Sequence, residues 1–509
     1  MDDLEFLLVL LLGAAALVRL AERARVPYPI VLVLGGLAVG FLPGLPAVEL
    51  EPEIVFLVFL PPLLTAAGFA ASPQALRAEA GPLGFLTVGL VLLTMGAVAV
   101  VAHAVVPGLG WEAAFILGAV VAPTDPVAAA ASFSRIGVPE RVKLLVEGEA
   151  IINDATALVI YRVAVAAAVT GTFSAGDAVL DFVVSAAGGL AVGLAVGVLE
   201  VRVLRRLDDT ALSIFLTVLF PYGAYISAEQ AGASGVLAAV VTGLYLGWFA
   251  HDAFQADTRL SATAFWGVLD FAANATLFVL LGLQFPALAD ELRLELSLGG
   301  LVGAAALVSL TVIGVRLLAT APPILGGTAR ERVAVGWSGM RGAISLAAAL
   351  AVPTTVEDRE VIIFITFVVI LVTLVGQGLS LPALLRALGI HGPRPWSPEE
   401  AIARLEAAQT ALDRLDELED EGAGEEQLRR LRELYRARFR RCQAVIGGDG
   451  SASSAHTETR LRYSALRKEL IGVERGALVD LRNRGRLRPE LLRVIERDLD
   501  LEEARLGAG

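Results

Sequence analysis

Glu149, Asn153 and Asp154 stand within Gly148-Glu149-Ala150-Ile151-Ile152-Asn153-Asp154-Ala155-Thr156, and the apolar run continues through Ala157-Leu158-Val159-Ile160-Tyr161. A charge at the centre of a bilayer costs roughly 2.5–3.5 kcal/mol on insertion scales, so acids kept there pair or work. A carboxylate suits one kind of work in particular: it holds a proton or a small cation, but not both, because protonation cancels the attraction. To exchange protons near neutral pH, an aspartate must be raised from an ordinary pKa of about 3.9, and desolvation raises it at about 1.36 kcal/mol per unit. A cation directly beside the working acid would oppose that. On a helix, Glu149 and Asn153 share a face, while Asp154 lies about 140° around from Glu149 at 3.6 residues per turn. The two acids therefore meet different surroundings. Glu149 is read as structural and Asp154 as the working group.

The elements that must position them are membrane helices. The chain has 509 residues, 56% of them hydrophobic and only 18% charged, where a soluble protein carries about a quarter charged residues. Thirteen apolar stretches satisfy the roughly 17–25 residues that a bilayer crossing needs: 4–20, 27–43, 53–71, 82–106, 111–134, 141–169, 177–204, 211–228, 233–249, 262–286, 298–319, 331–352 and 360–385. The first follows Asp2, Asp3 and Glu5 and is expected to be a membrane helix, not a cleaved signal. A single cysteine, Cys442, excludes an intramolecular disulfide and a cysteine-based metal site, and four histidines without HExxH spacing argue against a zinc enzyme. The net charge of −12 mixes loops with a charged tail and says nothing for nucleic acid.

Basic residues fall in alternate loops, with Arg293 and Arg359 as the exceptions: Arg19, Arg23 and Arg25, then Arg77, then Arg135, Arg141 and Lys143, then Arg202, Arg205 and Arg206, then Arg259, then Arg330 and Arg332, and Arg386. The intervening loops carry Glu49, Glu51 and Glu53, or Glu229, or Asp290 and Glu291. Positive-inside bias sets the N-terminus outside and the C-terminus in the cytoplasm of a plasma (inner) membrane. Two stretches look broken. The fifth contains Ala122-Pro123-Thr124-Asp125-Pro126, and the twelfth Gly336-Trp337-Ser338-Gly339-Met340-Arg341-Gly342. Prolines and glycines at these points interrupt the helix, and paired breaks in two inverted halves point to a transporter's binding site. Asp125, Asp154 and Arg341 are expected at about the same depth. Arg162, Ser345 and Asn274 also fall in apolar stretches; Arg162 has no evident partner, and the other two are further ligand candidates.

After about residue 390 the pattern changes. Residues 1–390 read as the membrane domain and 396–509 as a cytoplasmic helical domain of regulatory or assembly type. Ser397-Pro398-Glu399-Glu400 starts a helix, Gly422 and Gly424 break it, and a second helix contains Leu428, Leu431, Leu434 and Tyr435. A small-residue linker, Gly447 to Ser454, precedes two further helices, the last after Pro489. The basic run Arg436-Ala437-Arg438-Phe439-Arg440-Arg441 is read as a solvated face.

In this order the motifs resemble the cation/proton antiporters of the sodium/proton exchanger family, in particular its electroneutral branch. They are Val26-Pro27-Tyr28-Pro29, Phe59-Leu60-Pro61-Pro62-Leu63-Leu64, Thr124-Asp125-Pro126, Gly148 through Asp154, and Gly339-Met340-Arg341-Gly342-Ala343. The resemblance implies an all-α membrane protein of about thirteen helices with inverted repeats, two crossed unwound helices and a separate dimerisation domain. It implies a homodimer that works by alternating access in the lipid bilayer. No cofactor and no enzymatic activity are expected. By motif position, Asp154 binds cation and proton alternately, Thr124 and Asp125 contribute to that site, and Na+ or K+ sits at Asp154 and Thr124. Asn153 takes the position that marks the electroneutral branch, and Glu149 and Arg341 form a structural ion pair.

The chain departs from the family at Ala150, where serine is common, and at Thr65 and Ala66, where many members carry an acid. Both departures remove cation oxygens. Electroneutral Na+/H+ antiport is therefore the leading expectation, with K+/H+ antiport and a membrane sensor signalling through the tail as alternatives.

Overall fold

The computed structural model describes residues 3–42, 51–172, 174–292, 298–390, 398–420 and 425–446, together with 466–478 and scattered positions from 480 to 503. The chain divides into two compact units, Met1–Gly392 and Pro393–Gly509. Among the described residues all regular structure is helical.

In the first unit the helices follow in chain order as α1 (Asp3–Ala24), α2 (Tyr28–Gly40), α3 (Pro52–Ala70), α4 (Ala80–Val105), α5 (Trp111–Val121), α6 (Val127–Ile136) and α7 (Glu140–Thr170). They continue as α8 (Ala175–Leu204), α9 (Thr210–Gln230), α10 (Gly235–Ala253), α11 (Ala256–Leu292), α12 (Leu298–Thr320), α13 (Ala329–Trp337), α14 (Ala343–Leu350) and α15 (Arg359–Ala387). Nine of these are long and apolar enough to cross a membrane alone. With α1, α2 and the broken pairs α5/α6 and α13/α14 each taken as one crossing, the thirteen expected crossings are present. In hydrocarbon only helices keep every backbone group bonded within the segment, which is why apolar stretches of this length fold so.

Local breaks follow the sequence. Pro61 and Pro62 in α3 are preceded by a π-helical turn, Val55–Phe59, and Pro382 in α15 is preceded by another at Val372–Gln377. A widened turn there accommodates a ring that cannot donate to the preceding turn. Thr328 and Glu331 form a reciprocal capping box at the start of α13. Arg141, at the start of α7, holds Glu79 through two hydrogen bonds of 2.6 and 2.7 Å and also donates to the Leu325 carbonyl, tying together the loops at that end.

The largest apolar core joins Leu32, Leu86, Leu117, Leu145, Leu346 and Phe367 from six different helices. A smaller core joins α8, α10 and the start of α11 through Val201, Leu246 and Ala262. Away from these cores α8 exposes Val179, Leu180, Val183 and Val184, an apolar face suited to lipid. Small residues let pairs of helices approach closely. A Cβ at Gly36 of α2 would overlap the Val279 carbonyl of α11, and one at Gly282 of α11 would overlap the Val33 carbonyl of α2. Thr65 of α3 similarly donates to the Ala239 carbonyl of α10 at 3.3 Å, beside Gly243.

In the second unit α16 (Pro398–Asp420) and α17 (Glu425–Ile446) pair as a hairpin. Their shared apolar residues include Ala401, Ala408, Leu415, Leu428 and Cys442, and Arg432 reaches Asp416 and Glu419 at 2.7 and 2.6 Å. Pro398 opens α16. Ser397, the Gly422 and Gly424 break, the Gly447 to Ser454 linker and Pro489 lie outside the described residues.

The α2–α11 contact yields a stability test. Gly282→Val overpacks it, and overpacking costs about 1–3 kcal/mol. Thermal unfolding in detergent should therefore shift down by several degrees for Gly282→Val, whereas Gly303→Ala, where nothing lies within 4 Å of an added Cβ, should unfold like the wild type.

Candidate functional site

The two broken pairs cross. The Asp125 amide donates to the Met340 carbonyl at 2.7 Å, so the unwound segment after α5 is bonded to the unwound segment after α13. Each break exposes helix ends, and their charges are answered by two side chains. Asp125 stands where α6 and α14 begin: its Oδ1 accepts from the Val127 amide at 2.9 Å, and it lies so close to Gly342 that a Cβ there would overlap the carboxylate. Arg341 stands where α5 ends: its Nε donates to the Val121 carbonyl at 2.9 Å, and Nη1 and Nη2 donate to the carbonyls of Gly339 and Ala122. The acid thus meets the positive ends of half-helices and the arginine the negative ends, as helix dipoles and orphaned end groups favour.

This placement corrects the expected Glu149–Arg341 pair. Glu149 pairs with Arg316 of α12, which donates from Nη1 to Oε1 at 2.5 Å and from Nη2 to Oε2 at 2.7 Å. Both residues are 1% exposed, so the pair is sealed from solvent. Arg341 is committed to backbone carbonyls, and the Arg316 side chain passes over Gly339, where a Cβ would collide with it. Sequence reading missed Arg316. The available signal was an arginine inside the apolar run Leu310-Thr311-Val312-Ile313-Gly314-Val315-Arg316-Leu317-Leu318.

From this buried pair a hydrogen-bond chain runs back to α7. The Thr124 hydroxyl donates to Glu149 Oε1 at 3.3 Å, and Asn153 Nδ2 donates to Thr124 Oγ1 at 2.8 Å. Asn153 is fully buried, and among the described residues its Oδ1 has no partner. Asp154 points elsewhere. It is 6% exposed, and among the described residues nothing donates a hydrogen bond to its carboxylate or pairs with it.

Asp154, Thr124 and Asp125 line a cavity of about 800 Å³ that also takes in Glu140 and Lys143, at the start of α7. The Asp154 position is fourteen residues from Glu140, or about 21 Å along the helix at 1.5 Å per residue. Asn153 lies behind the wall. Ala66 and Ala150, the two departures noted above, are on the wall, so the oxygens they lack are missing from the cavity itself. Ser345 and Asn274 also line it, together with Asp270, a carboxylate in an apolar stretch that the sequence reading did not single out. At the far end of α7, Arg162 gains the partner that sequence could not name: its Nη2 donates to both carboxylate oxygens of Glu229 at 2.8 Å.

Such a site can hold a monovalent cation or a proton on one buried carboxylate while a neighbouring acid is kept neutralised. The Glu149–Arg316 pair makes the test. Removing one member of a buried pair costs about 3–5 kcal/mol, whereas replacing both often costs little. Arg316→Met should lower the unfolding temperature in detergent markedly, and adding Glu149→Gln should recover most of the loss. A double variant no more stable than the single one would contradict this role.

The family described as "Sodium/hydrogen exchanger, transmembrane" matches residues 7–387. An uncharacterised Na+/H+ exchanger of Mycobacterium tuberculosis is 36% identical over 99% of this chain and 97% of its own length. The low-affinity Na+/H+ antiporter NhaS1 of Synechocystis is 32% identical over 82% of this chain and 80% of its own. The structure of the sodium proton antiporter MjNhaP1 from Methanocaldococcus jannaschii superposes with a TM-score of 0.62 at 21% identity, covering 74% of this chain and all of that one, and supports the likeness of fold. A match over most of the membrane unit, with full-length relatives on both sides, leaves one conclusion: this multi-pass membrane protein belongs to the sodium/hydrogen exchanger family.

Proposed function

We propose that this protein exchanges Na+ for H+ across the membrane, with the two ions competing for Asp154. The observation that carries the reading is a buried carboxylate with no partner among the described residues, at the wall of a cavity, next to a second acid whose charge Arg316 answers. With Asp154 as the one group that trades its proton for the cation, one cation for one proton is the natural stoichiometry, which is electroneutral. Relatives such as NhaS1 bear the name of Na+/H+ antiporters, in keeping with that cargo.

The cavity takes in Glu140 and Lys143 at the start of α7, the end that positive-inside bias assigns to the cytoplasm. At the other end of α7, Arg162 and Glu229 tie that helix to the end of α9. Alternating access then requires the pair to separate as the cavity shuts. It is about half exposed on the arginine side, and such pairs contribute only about 0.2–1 kcal/mol, so it can latch the state without trapping it.

K+/H+ exchange is a second reading with an observation behind it. The alanines at 66 and 150 leave fewer fixed oxygens on the cavity wall to favour the smaller ion. A relative from Bacillus pumilus, 33% identical over 70% of this chain and 58% of its own length, is named a sodium, potassium, lithium and rubidium/H+ antiporter.

In proteoliposomes loaded with a pH-sensitive dye, Na+ should dissipate an imposed proton gradient, and Asp154→Asn should abolish that response. Exchange retained in the variant would overturn the assignment. Titrating Na+ and K+ side by side in the same assay decides between the two cargoes.

A further inference from the structure

Asp270 and Asn274 occupy consecutive turns of α11 and line the cavity. The Asn274 amide nitrogen donates to the Asp270 carbonyl at 2.9 Å and to Asp270 Oδ1 at 3.1 Å. That fixes the amide with its nitrogen toward Asp270. Asn274 is 7% exposed, yet among the described residues its Oδ1 accepts no hydrogen bond, and neither does Asp270 Oδ2. Ser345, 2% exposed and on the same cavity, likewise has a hydroxyl without a described partner. Three oxygen groups thus line this one cavity and, among the described residues, are left unused.

Their surroundings favour a cation. Among the described residues, Asp125, Glu140, Glu147, Asp154 and Asp270 line the cavity, against Lys143 alone among basic groups. A cleft lined by one sign of charge focuses its field and concentrates counter-ions. Asp270 shares the cavity wall with Asp125 and Tyr28. Lys143 is near the start of α7.

We propose that Asp270 and Asn274 form an accessory alkali-cation station in this cavity, supplying side-chain oxygens that Ala66 and Ala150 do not provide and passing the ion to Asp154. They are positioning and selectivity residues. The ion that reaches Asp154 is first stripped of part of its water against Asp270 Oδ2 and Asn274 Oδ1, with Ser345 Oγ within the same wall. This inference rests on the cation exchange proposed at Asp154.

The test is a kinetic split. Asp270→Asn keeps the size of the side chain and a partner for Asn274. It should raise the apparent KM for Na+ about ten-fold in the proteoliposome assay while the rate at saturating Na+ stays within two-fold, and Asp270→Glu should restore a KM near that of the wild type. An unchanged KM, or a lost maximal rate with KM unchanged, would overturn the station. A second measurement does not depend on transport. Na+ should raise the unfolding temperature of Asp154→Asn protein relative to choline at equal ionic strength, and the Asp154→Asn/Asp270→Asn protein should lose that increment. No Na+ effect in the first protein, or an equal effect in both, contradicts the station. Exchange persisting in Asp154→Asn would instead contradict the proposed function, so the two failures are distinguishable.

Discussion

Two helices are interrupted inside a hydrocarbon layer, where an unbonded backbone group costs several kcal/mol and no bulk water arrives to satisfy it. The remainder of the membrane unit answers that constraint. The Asp125 amide takes the Met340 carbonyl, Arg341 takes the carbonyls at the end of α5, and the Asp125 carboxylate takes the amide at the start of α6. Gly339 and Gly342 are where they are because side chains at those positions would displace Arg316 and Asp125. The break is therefore a rigid crossing, and it holds a patch of polar backbone against one face of α7.

That crossing separates the acids of α7 by function. Glu149 faces it and is neutralised by Arg316, with Thr124 and Asn153 extending the same network. Asp154, about 140° around the helix, faces the cavity with no partner among the described residues. A charge left unpaired in such a place is costly unless a proton or a cation occupies it, which is the condition an exchanger needs. Arg316 at Glu149, and not at Asp154, keeps a fixed positive charge off the group that must change its own.

Much of this was legible in the residues. Length and hydropathy gave the helices, Pro123 and Pro126 and the glycines around Arg341 gave the breaks, and the spacing of Glu149 and Asp154 gave two faces. What escaped depended on reach across the fold. Two arginines, 316 and 341, stand in apolar stretches, and only the crossing geometry determines which one meets Glu149. Arg341 is held by carbonyls, whose availability no side-chain pattern announces. Asn153, expected at the cation site, is drawn behind the wall by a hydroxyl 29 positions away in the chain. Asp270 reads as one polar residue in a long apolar helix until its face is known.

Competition between proton and cation for one carboxylate is the centre of the account, and it can be measured without a membrane. Purified protein in weakly buffered detergent solution should release protons when Na+ is added, approaching one proton per bound Na+, and Asp154→Asn should release none. Sodium binding without proton release, or equal release from the variant, would contradict it.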